Sequence, residues 1–439
     1  MAAGAQNEIR PDCRIVSDPV DGPEQQEAVG NEISSYPAGS VLGMSAEYVD
    51  ATNSDPNNHL RGPVSAPVGI PVRQEKQPAR TVVEEVAPGV LRAQLHIELP
   101  GLAHINTYLI VGPDGVDVID PGLPGPASWS SLLERLAQAE IPVTRVKSIL
   151  ITHSHPDHFG NAERLAEASG GAKIITHRSF RTMFDPLHQC VNDEDCVDPA
   201  HAHPDFGQKP IKQDVRIADG ISPATAAPWG KTWDPHDDEV SVRKSATLTL
   251  SERGWPFPKP NVRVRSGDSV SLGGRAWQVV HTPGHTLDHL CLFDPETGTF
   301  VSGDHVLPTI TPHVPGIGSG DASLANFLAS LDAVAGIAGV SKVLPAHGLD
   351  FEDLPGRVRE VKAHHQDRLE LLSRVSQADG WTSVEGYSHF LFRPERWGSM
   401  AESETYAHLV YLDQIGMAET RRAADGQAEF LVHGAPILV

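Results

Sequence analysis

The chain has 439 residues, with 35 Lys and Arg against 57 Asp and Glu, for a formal net charge of −22. At roughly 100–200 residues per domain, this length implies two or three folded units with a sizeable core. Hydrophobic residues at 39% exclude a disordered chain, and the acidic excess argues against a polyanion-binding surface and for small-molecule chemistry.

Residues 1–80 are expected to form a flexible N-terminal arm. They hold nine prolines, two leucines (Leu42 and Leu60) and neither Phe nor Trp, so little burial offsets the entropy of ordering them. No basic segment followed by an apolar run opens the chain, and no stretch nears the roughly 18–20 apolar residues of a membrane span. A cytoplasmic protein with no membrane partner is expected. The four cysteines, Cys13, Cys190, Cys196 and Cys291, are too few for a disulfide scaffold. Cys190 and Cys196, six apart in a polar segment, read as free thiols of a loop, with pairing or metal binding as the alternatives.

From residue 81, strand-like runs at 81–86, 90–97, 105–111 and 116–120 alternate with Gly and Pro turns. A helix is expected over 127–139, then a buried strand at 146–152 (VKSILIT) and a helix from about Asn161. This alternation predicts a layered α/β domain. Residues 181–262 break the pattern. They are rich in Pro, Asp, His and Trp, and so large an insertion reads as a lid or interface lobe. Its Trp229, Trp233 and Trp255, with Phe257, are expected to form an aromatic lid, to pack the irregular lobe against the core, or both. Strands resume at 262–264, 269–272, 276–281, 290–293 and 299–302, followed by a helix at 322–335 and a strand at 342–344. Beyond residue 350 come helices at about 355–376 and 402–415, with a hairpin turn at Asp425-Gly426.

The sequence Thr-His-Ser-His-Pro-Asp-His at 152–158 directly follows a buried strand and offers His153, His155, Asp157 and His158. A loop at a strand end can aim alternate side chains at one point while the Asp-His pair turns to another. Imidazole nitrogen and carboxylate oxygen suit zinc and neighbouring first-row metals. Further ligands are needed for two metals, and His285, Asp304 and His347 each stand at the end of a later strand-like run.

With these residues the chain resembles the metallo-β-lactamase-fold hydrolases, over residues 81–350. The resemblance implies an αββα sandwich and two divalent metal ions, zinc foremost, with manganese or iron as alternatives. It implies that His153, His155 and His285 hold one ion, that Asp157, His158 and His347 hold the other, and that Asp304 bridges them. Asp120 matches the family acid that orients the ligand loop. The cysteine ligand of the antibiotic-destroying branch and the Glu ligand of the di-iron branch are both absent, so hydrolysis by a metal-bridging hydroxide is the expected chemistry. Asp157 and Asp304 are the residues expected to act in it. His305 and His313 are candidates for the acid that protonates the leaving group. His289 is expected to anchor the ligand loop, and His281 has no assigned role. His201 and His203 look metal-like but lack strand context.

The segments TPGHTLDHLCLFD, SGDHVLPTITPHV and KAHHQDRLELL resemble bacterial hydrolases and the lactamase-β-2-like endoribonuclease branch. That resemblance implies a small winged-helix-like C-terminal unit, here 351–439. Nine Lys and Arg against fourteen Asp and Glu give it a net −5, which suits a helper or dimerisation unit better than a nucleic-acid reader. The expected function is hydrolysis of a small-molecule thioester, ester, lactone or activated aryl ether, in xenobiotic or secondary-metabolite breakdown. Metal-dependent RNA cleavage and a role as one subunit of a hetero-oligomeric hydrolase are the alternatives. A homo- or hetero-oligomer is expected.

Overall fold

The computed structural model describes residues 73–99, 101–180, 227–231, 256–317 and 322–438. Seven strands form a first sheet in chain order: β1 (Glu84–Ala87), β2 (Val90–Leu99), β3 (Leu102–Gly112), β4 (Gly115–Ile119), β5 (Val146–Leu150), β6 (Lys173–His177) and β7 (Val262–Val264). β1 to β4 pair antiparallel, and β4 to β7 pair parallel. The parallel half needs crossovers. The first is α1 (Pro126–Gln138); the second combines the one-turn α2 (Pro156–Phe159) with α3 (Ala162–Ser169). Every residue of β4 is buried, as a strand covered on both faces requires.

A second sheet runs β12-β11-β10-β9-β8, from β8 (Ser269–Leu272), β9 (Arg275–His281), β10 (Leu290–Asp294), β11 (Thr299–Gly303) and β12 (Lys342–Pro345). Its pairings are antiparallel except β11 with β12, which the helix α4 (Ser323–Ala335) connects. One apolar cluster lies between the sheets, where Tyr108, Ile119 and Leu150 meet Trp277, Leu292 and Val301. A second lies outside the first sheet, where Leu95, Val118 and Ile149 meet Leu132, Leu136 and Leu165 of α1 and α3. The third covers the outer face of the second sheet, where Phe293 and Phe300 meet Phe327 of α4 and the C-terminal elements. The layering is therefore helix, sheet, sheet, helix.

The C-terminal elements are α5 (Leu354–Asp379), β13 (Thr382–Ser383), α6 (Val384–Leu391), α7 (Ser399–Gln414), β14 (Ala418–Arg422) and β15 (Ala428–Val432). The strands make a small sheet in the order β13-β15-β14, and the predicted turn at Asp425-Gly426 joins its hairpin. Val358, Leu369 and Leu409 belong to the same apolar cluster as Phe327, so these helices share a core with the sandwich. Among the described residues no helix is long and apolar enough to cross a membrane.

One expectation needs correcting. The last residues assigned to the arm belong to the domain: Glu75, in a turn of 3-10 helix at Gln74–Lys76, is fully buried and bonds Thr309 and the N–H of Ile310. Trp229 of the insertion takes the packing role, beneath the C-terminal unit. Its indole N–H donates to Glu402 at 2.9 Å, and its ring meets Tyr406. A buried indole needs an acceptor, and Glu402 of α7 supplies it. Phe257 packs on the outer cluster of the first sheet. Trp233, Trp255, His201, His203, Cys13, Cys190 and Cys196 lie outside the described residues. Cys291 is buried and free.

Candidate metal centre

At one end of the sandwich the two sheets are tied by main-chain bonds, from Leu290 N–H to Thr152 O (2.9 Å) and from Asn106 N–H to Ala346 O (2.7 Å). All seven expected ligands gather at this end. The loop after β5 brings His153 and His155, and its turn of α2 presents Asp157 and His158 on a Pro156 start. His285 follows β9, Asp304 follows β11 and His347 follows β12.

The donors fall into two groups in which all ligand atoms lie within 4.8 Å of one another: His153, His155, His285 and Asp304, and separately Asp157, His158 and His347. Asp304 reaches toward both. Its Oδ2 lies 3.5 Å from His285 Nε2 and 3.6 Å from His158 Nε2, and its Oδ1 lies 3.2 Å from His347 Nε2. Asp157 Oδ2 is 3.5 Å from both His158 Nε2 and His347 Nε2.

The surroundings fix which ring nitrogen of each histidine faces inward. His285 Nδ1–H donates to the carbonyl of His313 and His347 Nδ1–H to that of His104, each at 2.6 Å. His158 Nδ1–H donates to Asp120 Oδ2 at 2.8 Å. Each of these three therefore turns an Nε2 lone pair to the centre, the arrangement a cation requires. Asp120 sits at φ 52°, just past β4, where its other bonds come from Thr152 N–H and Oγ1. It thus orients the ligand loop, as the motif implied.

Polar satisfaction tests whether a cation fits. His158 Nε2, His347 Nε2 and Asp304 Oδ1 are buried and make no hydrogen bond. His155 Nδ1 faces both His153 Nε2 (2.9 Å) and His285 Nε2 (3.1 Å), three nitrogens that cannot all share protons. Buried polar atoms left this way are costly unless an ion completes them. Charge points the same way. Burial lowers the basicity of His158, yet Asp157, Asp120 and Asp304 together hold it well above its ordinary value. His347 is likewise raised against its burial, chiefly by Asp304. Three carboxylates around these rings draw a proton where a dication would sit, so the residues fit two divalent ions.

His289 holds the Asp304 loop. Its Nε2 accepts the Asp304 N–H at 3.0 Å, while its Nδ1–H donates to Thr282 Oγ1 at 2.7 Å. Gly303 at φ 52° permits this approach, because a Cβ there would lie 2.6 Å from His289 Nε2. His281 stacks on His177 with ring centroids 3.9 Å apart and bonds the Leu287 carbonyl. His305 is fully buried against Phe327, and burial pushes its pKa down to about 3. It is a neutral packing residue and a poor proton donor. His313 turns its Nδ1 to Glu404 of α7 at 3.1 Å. Sequence reasoning missed Thr152, His104 and Glu404, whose roles rest on contacts across 32, 243 and 91 positions respectively. No local signal marks such partners.

The family profile described as the metallo-beta-lactamase superfamily matches residues 100–348. The lactamase-like protein vrtG of Penicillium aethiopicum is 26% identical over 300 residues, covering 67% of each chain. The lactamase-like protein nscB of Aspergillus fumigatus is 25% identical, over 65% of this chain and 63% of its own. The chain thus spans about two thirds of these relatives. A beta-lactamase domain protein from Burkholderia ambifaria superposes with a TM-score of 0.59 at 25% identity, covering 81% of this chain and 96% of that one. A metallo-beta-lactamase family protein from Thermus thermophilus gives 0.56 at 25% identity, over 79% and 100%. Layering, the strand-end donors and the profile match converge on one conclusion: the chain belongs to the metallo-beta-lactamase superfamily.

Proposed function

We propose that this protein is a hydrolase that works with two divalent metal ions on a small-molecule thioester, ester, lactone or activated aryl ether. The observation that carries this reading is the convergence of seven His and Asp donors in two adjoining groups. When bound, two such ions supply Lewis acidity for the scissile oxygen and acidify water at neutral pH. Zinc suits the donors, with manganese and iron as alternatives.

The chain's own residues supply the order. Asp120 fixes His158, the His104 and His313 carbonyls fix His347 and His285, and His289 fixes the backbone of Asp304. Asp157 adjoins both His158 and His347, where its carboxylate can hold a proton released from water. The thioester, ester, lactone and aryl ether classes share an electrophilic centre whose departing oxygen or sulfur bears the negative charge. The acidic C-terminal unit disfavours RNA.

The test is a panel of thioesters, esters, lactones, aryl ethers and single-stranded RNA against metal-loaded protein. Turnover of one small-molecule class, lost in Asp304→Ala and His158→Ala, is the expected result. Rapid RNA cleavage with no small-molecule turnover, or full activity in those variants, would overturn the reading.

A further inference from the structure

The segment between Asp304 and α4 has no regular secondary structure through residue 317, yet it supplies the carbonyl that sets the inward nitrogen of His285. Its own contacts are almost all made with chain far away in sequence. Arg357 of α5 donates to the carbonyls of Leu307 (2.7 Å) and Ile310 (2.8 Å). Glu75 accepts from Thr309 and from Ile310 N–H. Two consecutive residues of α7 take the stretch that matters most. Glu404 receives the ring of His313, and Ser403 Oγ receives the N–H of Gly316 at 3.0 Å. Gly316 is needed there, since a Cβ would lie 2.6 Å from the Ser403 carbonyl.

Glu404 is itself held. Arg368 of α5 donates to its Oε1 at 2.5 Å, and the Arg368 guanidinium lies 4.7 Å over the ring of Phe392. Burial alone would raise the Glu404 carboxyl, but Arg368 and His313 keep it well below its ordinary range. It is therefore a carboxylate, an acceptor only, and the His313 Nδ1 beside it is the donor. The chain of contacts runs Arg368, Glu404, His313 ring, His313 carbonyl, His285 Nδ1, and so to the three-histidine group.

We propose that the C-terminal helices complete the metal centre, with Glu404, braced by Arg368, acting as a positioning residue that fixes His285 through His313. This rests on the metal-dependent reading above. It makes the C-terminal unit part of the site, where a detachable helper would leave His285 untouched. Partners of ligating histidines commonly change metal affinity by about 10–100-fold when removed. The effect here should fall on one ion only, because the Asp157, His158 and His347 group has its own fixings on Asp120 and His104.

The test is titration of the full-length metal-free protein with cobalt(II), following the visible d–d bands and two binding constants. In Glu404→Ala and in His313→Ala, one equivalent should bind about tenfold or more weakly, with altered bands, and the other unchanged. The double variant should bind no more weakly than either single one, because both remove the same linkage. Glu404→Gln, which keeps an acceptor for His313, should recover most of the loss. Thermal melting of each metal-free variant separates this from a folding defect, and a loss at both equivalents that tracks the melting temperature would overturn the proposal. So would wild-type binding in Glu404→Ala, or additive losses in the double variant. A wild-type protein that takes up no cobalt would overturn the metal reading itself, and this proposal with it.

Discussion

The carboxylate of Asp120 accepts three hydrogen bonds, from the Thr152 N–H, the Thr152 hydroxyl and His158 Nδ1. An Asn tolerates the same left-handed backbone, so Asp120→Asn isolates the charge. The amide would offer donors where His158 needs an acceptor, favouring the tautomer that puts a proton on the inward Nε2. Such a flip removes a lone pair from the centre, as in other sites where an acid-to-amide change spoils a histidine. The expected result is a loss of metal affinity of about 10–100-fold with near-native circular dichroism, checked by competition against a chelator. Unchanged affinity would show that Asp120 only braces the loop. Gly303 offers a steric counterpart. Gly303→Ala would strain the left-handed backbone by roughly 1–2 kcal/mol and push on His289, so Asp304 should shift and thermal stability fall.

At the scale of elements, Trp229 fastens the segment at 227–231 to α7 and to the hairpin, where Ala428 N–H bonds its carbonyl at 2.8 Å. Trp229→Ala should cost about 3–5 kcal/mol in urea unfolding, as large buried aromatics do. Trp229→Phe keeps most of the packing but leaves Glu402 to Lys231 alone, and its smaller loss would measure the indole bond. Equal stability of Trp229→Ala and wild type would show that this segment is not fastened. Most elements were legible in the sequence because each carries its own pattern: β10 opens on the apolar run 290–293, β4 sets Val116, Val118 and Ile119 around Asp117, and Leu132 and Leu136 repeat at helical spacing. The donor residues were legible because each follows such a run. Others were not. The strand β6 is five residues squeezed between Gly171 and the insertion, and α2 is one turn hidden inside the ligand motif. Neither is long enough to show a period. The place of Trp229 is decided by an acceptor 173 positions away, which no window along the chain contains.

For the whole molecule, buried histidines make stability depend on pH. Burial lowers His408 from 6.5 to about 4, and its Nδ1–H is committed to the Glu404 carbonyl at 2.7 Å. The adjoining His365, which donates its Nδ1–H to His408 Nε2 at 3.0 Å, is also pushed down by burial. Both are neutral when folded and charged when unfolded below pH 6.5, so the unfolded chain binds more protons there. Stability therefore falls as pH drops from about 6.5 toward about 4, by roughly 3 kcal/mol for a histidine shifted like His408. Urea midpoints of metal-free protein between pH 7.5 and 4.5 should fall more steeply than those of His408→Gln, since the raised His158 and His347 act in the opposite direction in both proteins. A slope unchanged in the variant would place the acid sensitivity elsewhere.

The irregular loop after Asp304 is gripped both by Glu75 and by Glu404, from opposite ends of the described chain. During synthesis, its early partner emerges long before its late one. The centre therefore cannot reach its final shape until α7 has left the ribosome, some ninety residues after the loop itself. Such long-range closure slows folding.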